Sequence, residues 1–292
     1  MSNTLFFAGF AFIVACTFSA CDVSVTQSEI SDSTKIVSTN GTLSEILVAL
    51  GFEDNIVGVD VASTYPASLQ QKPKIGHNRD ISAEGVLALD ADLVLGIADM
   101  VKPEVAEQIR ATGTKLLLFD HEYDVEGAKQ LIRGVADSLG RSAKGDSILN
   151  ALEADLASAD SIVAQSGSKP KVLFIYARGT GTMMVAGQRT QLDKMIELAG
   201  GVNAVQGFLD FKPLTSESLV AANPDVILLF DSGLSSLGGI DGLLQVQGIS
   251  QTNAGKNRKV VEMDGQYLTG FGPRLGKAIV ELAEKIHGVV GR

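Results

Sequence analysis

The chain has 292 residues, 45% of them hydrophobic, and a formal net charge of −10. That length allows two domains of ordinary size, and without a basic stripe a nucleic-acid partner is not expected. Trp is absent and aromatic residues make up 5%, which leaves few platforms for stacking sugars or bases. The two cysteines, Cys16 and Cys21, stand at the extreme N-terminus, so no disulfide or thiol is expected to serve the folded part.

Leu5 to Ala20 is an apolar run of 16 residues, short for a membrane span, ending in Phe18-Ser19-Ala20-Cys21. Small residues before a Cys resemble a bacterial lipoprotein signal, which implies lipidation of Cys21. No Lys or Arg precedes Lys35, and Phe18 stands where Leu is usual. An ordinary secretory leader, an uncleaved anchor or a misplaced start are the alternatives, and each still puts the folded part outside the cytoplasm. The expected organisation is a leader over 1–21, a polar tether over 22–34, an α/β lobe over 35–141, a linking helix over 142–168 and a second α/β lobe over 169–292.

The first lobe alternates strand and helix. Strands are expected at Lys35–Ser38, Ile56–Val59, Leu93–Leu95 and Lys115–Phe119. Helices are expected at Leu43–Leu50 after a Thr42 cap, at Ala83–Leu89 after Ser82, at Pro103–Thr112 and at Val125–Gly140. Residues 61–79 read as a loop carrying Pro66, Pro73, Gly76 and His77. Short apolar strands covered on both faces indicate a mostly parallel sheet. Ala143 to Gln165 carries Ile148, Leu149, Leu152, Leu156, Ile162 and Val163 at helical spacing, and reads as one amphipathic helix about 30 Å long. The second lobe is expected to run through a strand at Val172–Tyr176, a Gly-rich loop over 178–187, helices at Leu192–Ala199 and Ser216–Ala222, and a strand at Val226–Phe230. A second Gly-rich loop over 233–242, a strand at Val260–Met263, a loop over 267–274 and a closing helix Leu275–Val290 follow.

The chain repeats itself. Residues 214–229, LTSESLVAANPDVILL, align without a gap on residues 81–96, ISAEGVLALDADLVLG, so that Glu84 falls on Glu217 and Asp92 on Asp225. A weaker echo pairs Leu43–Gly51 with Leu192–Gly200. A repeat over this distance indicates two similar lobes rather than a short-period solenoid.

Two α/β lobes, a spine helix, an exported N-terminus and a Glu at the same place in each lobe resemble the helical-backbone class of substrate-binding proteins. These serve ABC importers for vitamin B12, ferric siderophores and haem. The strings PKIGHNRDISAEGVLAL, VAGQ, KPLTSESLVAANPDVILL and GFGPR resemble the haem-binding branch over most of the chain from Lys35 onward. The resemblance implies two Rossmann-like lobes with a ligand cleft between them, haem b as transported ligand, and Glu84 and Glu217 docking on an ABC permease dimer with its ATPase. It implies a monomer that touches the membrane only through the lipid anchor. In that branch the lobe-1 loop usually reads Gly-Tyr-x-Arg, the Tyr binding iron; here it reads Gly76-His77-Asn78-Arg79.

On residue chemistry alone, His77 is either an ordinary loop histidine or a neutral imidazole ligand. The resemblance makes it the expected haem iron ligand. Candidates for the second axial ligand are Met184, Met183 and Tyr176, and haem contacts are expected from Arg79, Tyr65, Arg178 and Arg274. Capping of the following helix is the alternative role for Arg274, and Tyr65 packs more readily than it coordinates. His121 and Tyr123 in DHEYD are expected on a solvated rim, and His287 in the last helix is structural or exposed. No G-x-S-x-G elbow, P-loop or complete dinucleotide fingerprint is present, so no enzyme activity is expected. Cobalamin or a ferric siderophore on the same scaffold is the alternative cargo.

Overall fold

The computed structural model describes residues 1, 30–31 and 33–288; Cys21 and the rest of the expected leader lie outside the described residues. The first lobe runs β1 (Ile36–Ser38), α1 (Gly41–Leu50), β2 (Ile56–Val59), β3 (Gly76–His77), β4 (Asp80–Ile81), α2 (Ala83–Leu87), β5 (Leu93–Ile97), α3 (Pro103–Ala111), β6 (Lys115–Phe119) and α4 (Val125–Ser138). Its main sheet is parallel throughout, in the order β2-β1-β5-β6. Asn40, Ser82 and Asp124 accept backbone N–H groups at the starts of α1, α2 and α4, caps of the kind that stabilise a helix by about 1 kcal/mol each.

Helix α5 (Ser142–Ser166) is the expected spine, 25 residues long and unbroken. It lies between the lobes and buries Leu149, Leu152 and Ala159. Two glycines set how closely its neighbours approach. A Cβ on Gly145 would stand 2.6 Å from the Ala136 Cβ of α4, and one on Gly276 would stand 2.5 Å from the Asp155 Cβ. One apolar cluster runs from Ile36 through these spine residues to Ile286, so both lobes share a continuous core.

The second lobe follows as β7 (Lys171–Ala177), β8 (Met183–Ala186), α6 (Gln191–Leu198), β9 (Val202–Asn203), β10 (Phe211–Pro213), α7 (Ser216–Ala222), β11 (Val226–Phe230), α8 (Asp231–Ser236), α9 (Gly239–Leu244), α10 (Asn253–Lys256), β12 (Val260–Met263), α11 (Gly265–Thr269) and α12 (Leu275–His287). Strands β7, β11 and β12 are parallel, whereas β8 and β10 add an antiparallel edge. That edge, and the helices α8, α9 and α11, occupy stretches whose glycines read as loops in the sequence.

The repeat is physical. Asp92 Oδ2 accepts the Lys35 N–H at 2.8 Å, and Asp225 Oδ2 accepts the Lys171 N–H at 3.0 Å. In both lobes this carboxylate ties the strand that carries it to the start of the neighbouring strand. Glu84 and Glu217 each occupy the second position of their helix and are exposed.

Candidate functional site

In open α/β sheets, ligands bind beyond the carboxyl ends of the parallel strands, and here those ends of both lobes carry the loops that face one another. After β2, the chain returns as the hairpin β3–β4, with Gly76 opposite Ile81 and His77 opposite Asp80. Gly76 has φ 110°, and a Cβ there would meet the Asp80 carbonyl oxygen at 2.6 Å, so the turn requires glycine. Val61 N–H donates to the Gly76 carbonyl at 2.9 Å, and Ile75 and Ile81 are buried beneath the hairpin. Its tip therefore presents His77 and Arg79, both exposed, from a pinned base.

His77 Nδ1 accepts the Arg79 N–H at 3.4 Å. This contact sits beyond the usual range of a protein hydrogen bond and does not lock the ring. Ligation through Nε2 would place the proton on Nδ1 and break it. Behind the hairpin lies Asp60, fully buried, whose carboxylate accepts from the Ser63 hydroxyl and the Ala62 N–H. Burial pushes its carboxyl above the usual range, against the pull of Ser63, Ala62, His77 and Lys74. Nothing in the sequence singled Asp60 out.

Arg79 joins two hollows. With Ala98–Pro103 it lines a cavity of about 480 Å³. With Glu122–Asp124 of the first lobe, and Gln188–Gln191, Asp193, Lys194 and Leu209–Phe211 of the second, it lines an inter-lobe cavity of about 1040 Å³. Tyr123 reaches the Gln191 side chain across this gap, and burial raises its phenol above the usual range. The lobe-2 wall, above all Arg189, Leu209 and Phe211, escaped sequence reasoning.

Of the expected contacts, Arg79 lines both cavities, and His77, Tyr65, Tyr176, Arg178, Met183, Met184 and Arg274 line neither. Tyr176 ends the apolar run of β7, where its ring meets Phe230 edge-on at 6.3 Å, and the Arg178 guanidinium lies 5.7 Å from the ring centre. Met183 and Met184 are half-buried on β8, paired with Ala177 and Tyr176.

Arg274 is engaged elsewhere, and its side chain makes no helix-capping bond. It grips the Glu45 carboxylate of the first lobe through two nitrogens, Nε at 2.9 Å and Nη2. Its guanidinium stacks over Tyr65 at 3.6 Å and near Tyr267 at 4.8 Å. Gln266 adds a bond to Glu45 at 2.7 Å and takes the Thr64 N–H at 2.8 Å. His121 is not on a solvated rim. It is 9% exposed, its Nε2–H donates to the Phe271 carbonyl at 3.2 Å, and its Nδ1 has no partner in its buried surroundings. The reason is tertiary: the second lobe covers the loop that carries it. His287 donates from Nε2 to the Ala199 carbonyl at 3.0 Å, a structural role.

Two α/β lobes bridged by one long helix, with an inter-lobe cavity built from loops at the strand ends, define a two-lobed solute-binding protein. The chain belongs to the periplasmic binding protein family, whose model matches residues 36–267. It is similar to the periplasmic haem-binding protein RhuT from Roseiflexus sp. RS-1, at 42% identity and a TM-score of 0.84, over 88% of this chain and 98% of that one. It is similar to the haem-binding protein HmuT, at 32% identity and a TM-score of 0.77, over 88% and 85% of the two chains. Three solved HmuT variants each replace one residue by Ala, namely a His, a Tyr and an Arg. Those three residues have the same separations along the HmuT chain as His77, Tyr176 and Arg178 have here. Among curated relatives, an uncharacterised ABC transporter substrate-binding lipoprotein of Bacillus subtilis, YvrC, is 27% identical over 87% of this chain and 80% of its own. A cobalamin-binding protein of Halobacterium salinarum is 23% identical over 94% and 75%.

Proposed function

We propose that this protein captures haem b between its lobes, outside the cytoplasm, and delivers it to an ABC permease dimer with its ATPase. The observation that carries the reading is the triplet His77, Tyr176 and Arg178, which lies at strand ends of opposite lobes and reproduces the spacing of the residues altered in HmuT. His77 is the axial ligand from the first lobe. Tyr176 takes precedence over Met184 and Met183 as the ligand from the second, because Arg178 sets a positive charge beside the ring of a would-be phenolate. A neutral imidazole paired with a phenolate compensates part of the ferric charge and leaves an uncrowded cleft for the apolar disc. Arg79 at the hairpin tip meets a propionate as a charge-assisted bond.

Titration of the purified protein with hemin, followed in the Soret region, tests this. His77→Ala and Tyr176→Phe are each expected to weaken binding and shift the band, and His77→Tyr to restore binding with a phenolate-type ferric spectrum. If His77→Ala leaves the spectrum unchanged while a change at Tyr65 or Met184 alters it, the ligand assignment is wrong. Retention of cobalamin, with no Soret response to hemin, would favour the corrinoid reading that the Halobacterium salinarum relative keeps open.

A further inference from the structure

The lobe-2 wall of the inter-lobe cavity is built from two turns, Gly187–Thr190 and Phe208–Phe211, laced together by backbone bonds. Gly187 N–H donates to the Asp210 carbonyl at 2.7 Å, Gln188 N–H to Phe208 at 2.9 Å, and Asp210 N–H back to Gln188 at 3.2 Å. Each turn places a non-glycine residue in the left-handed region, Arg189 at φ 61° and Asp210 at φ 60°. Such residues are uncommon and cost stability unless the surroundings hold them. Here Asp193 Oδ2 accepts the Arg189 N–H at 3.1 Å. The turns also hold Leu209 and Phe211 open, 51% and 40% exposed, on the same cavity.

Three cations line this cavity. Lys194 is paired with Glu197 at 2.9 Å. The guanidinium groups of Arg79 and Arg189 have no hydrogen-bond or ion-pair partner among the described residues. Four carboxylates line the cavity as well, Glu122, Asp124, Asp193 and Asp210, so the wall is not a positive field. Asp124 is engaged by the Gly127 N–H, and Asp193 by the Arg189 N–H and the Asn203 amide. What it offers an anion is two forked donors, one from each lobe, flanking an apolar face.

We infer that Arg79 and Arg189 form a two-lobe clamp for the two carboxylates of the ligand, with Leu209 and Phe211 as the apolar bed for its macrocycle. The inference rests on the haem reading above. It makes Arg189 a specificity-determining residue that selects a planar ligand with carboxylates on one edge over the same ligand without them.

Hemin and hemin dimethyl ester separate the terms, since both keep iron and macrocycle and only hemin has free carboxylates. Wild type is expected to prefer hemin. Arg189→Gly should weaken hemin by about tenfold or more, the loss of one bond to a charged group, while leaving the diester affinity unchanged. Its thermal midpoint should hold or rise, because glycine accepts φ 61° without strain, so a folding defect cannot imitate the result. Arg189→Lys should recover part of the hemin affinity. The inference is overturned if Arg189→Gly binds hemin as wild type does, if hemin and diester weaken in parallel, or if wild type does not distinguish the two. Failure of wild type to take up either compound would instead remove the haem reading, and this inference with it.

Discussion

The Glu45–Arg274 pair gives the sharpest test of how the lobes are held. Glu45 lies on α1 of the first lobe with its side chain 6% exposed, and Arg274 opens α12 of the second at 20%. Removing Arg274 leaves a carboxylate that cannot regain water, and breaking such a buried pair costs about 3–5 kcal/mol. The Gln266 bond to Glu45 survives, which favours the lower end, but stacking on Tyr65 is lost, worth about 0.5–1 kcal/mol. A net cost of roughly 3–4 kcal/mol corresponds to a fall in melting temperature of roughly 6–16 °C for a chain of this size. Arg274→Ala should show that fall by circular dichroism. Glu45→Gln should cost less, because an amide still accepts from Gln266 and the more exposed guanidinium can reach water.

The pair also fixes the sign of a pH effect. Burial raises the Glu45 carboxyl above its ordinary value, and Arg274 opposes the rise. A raised carboxyl means that the folded state holds the proton more tightly than the unfolded chain, so stability is lost as pH rises above about 4.5. Without Arg274 that loss deepens, and the deficit of Arg274→Ala should be larger at pH 8 than at pH 5. The double variant Glu45→Gln/Arg274→Ala, with no buried charge, should melt higher than Arg274→Ala alone. A double variant as unstable as the single one, or a deficit independent of pH, would show that the pair is not an electrostatic clamp.

Three further outcomes are expected. Glu84→Arg with Glu217→Arg should abolish haem uptake by cells while leaving hemin binding intact, because each side chain stabilises its helix by only ~0.3–1 kcal/mol; normal uptake would reduce the two residues to capping features. Cys21→Ser should move the protein from the membrane to the soluble extracytoplasmic fraction; a wild type already soluble there would refute the lipid anchor. Burial holds the His121 imidazole below its ordinary 6.5, so the unfolded chain takes the proton first and stability is lost as pH falls through about 6.5. His121→Gln should flatten the dependence of the urea midpoint between pH 7 and 5, and an unchanged slope would count against that role.

The scaffold was legible where its signals are local. The 81–96 repeat, the Ser82 cap and the long apolar periodicity of α5 each belong to one stretch of chain, and each stands where expected, whereas the cap expected at Thr42 is supplied by Asn40, two residues earlier. What escaped depends on contacts between distant stretches. Met183–Ala186 became a strand because β7 offers it a ladder and Phe211–Pro213 covers its other edge. His121 is buried by Phe271, far along the chain. Arg189, Leu209 and Phe211 share a wall only because two turns from different parts of the second lobe stack, and no local pattern announces that.

The two lobes diverge where the ligand-facing chemistry lies. The duplicated stretch supplies the strand ties Asp92 and Asp225 and the outward Glu84 and Glu217, whose near-equivalence suits a partner with two-fold symmetry. Most cavity-lining residues, Arg79, Arg189, Leu209 and Phe211 among them, come from segments outside the repeated stretches. The first lobe sets the His77–Arg79 hairpin between β2 and α2, whereas the second, whose β9 pairs with β7 as β2 pairs with β1, adds β8 and β10 between β7 and α7. On the proposed reading, a ligand between the lobes would meet an imidazole and a guanidinium on one side, and a phenol, a strained arginine and an apolar bed on the other. Such a cleft would favour one orientation of the proposed cargo, while the surface offered to the proposed permease keeps its pseudo-symmetry. The repeated stretch thus carries what the proposed symmetric partner would read, and the unrepeated segments carry what the proposed asymmetric cargo would meet.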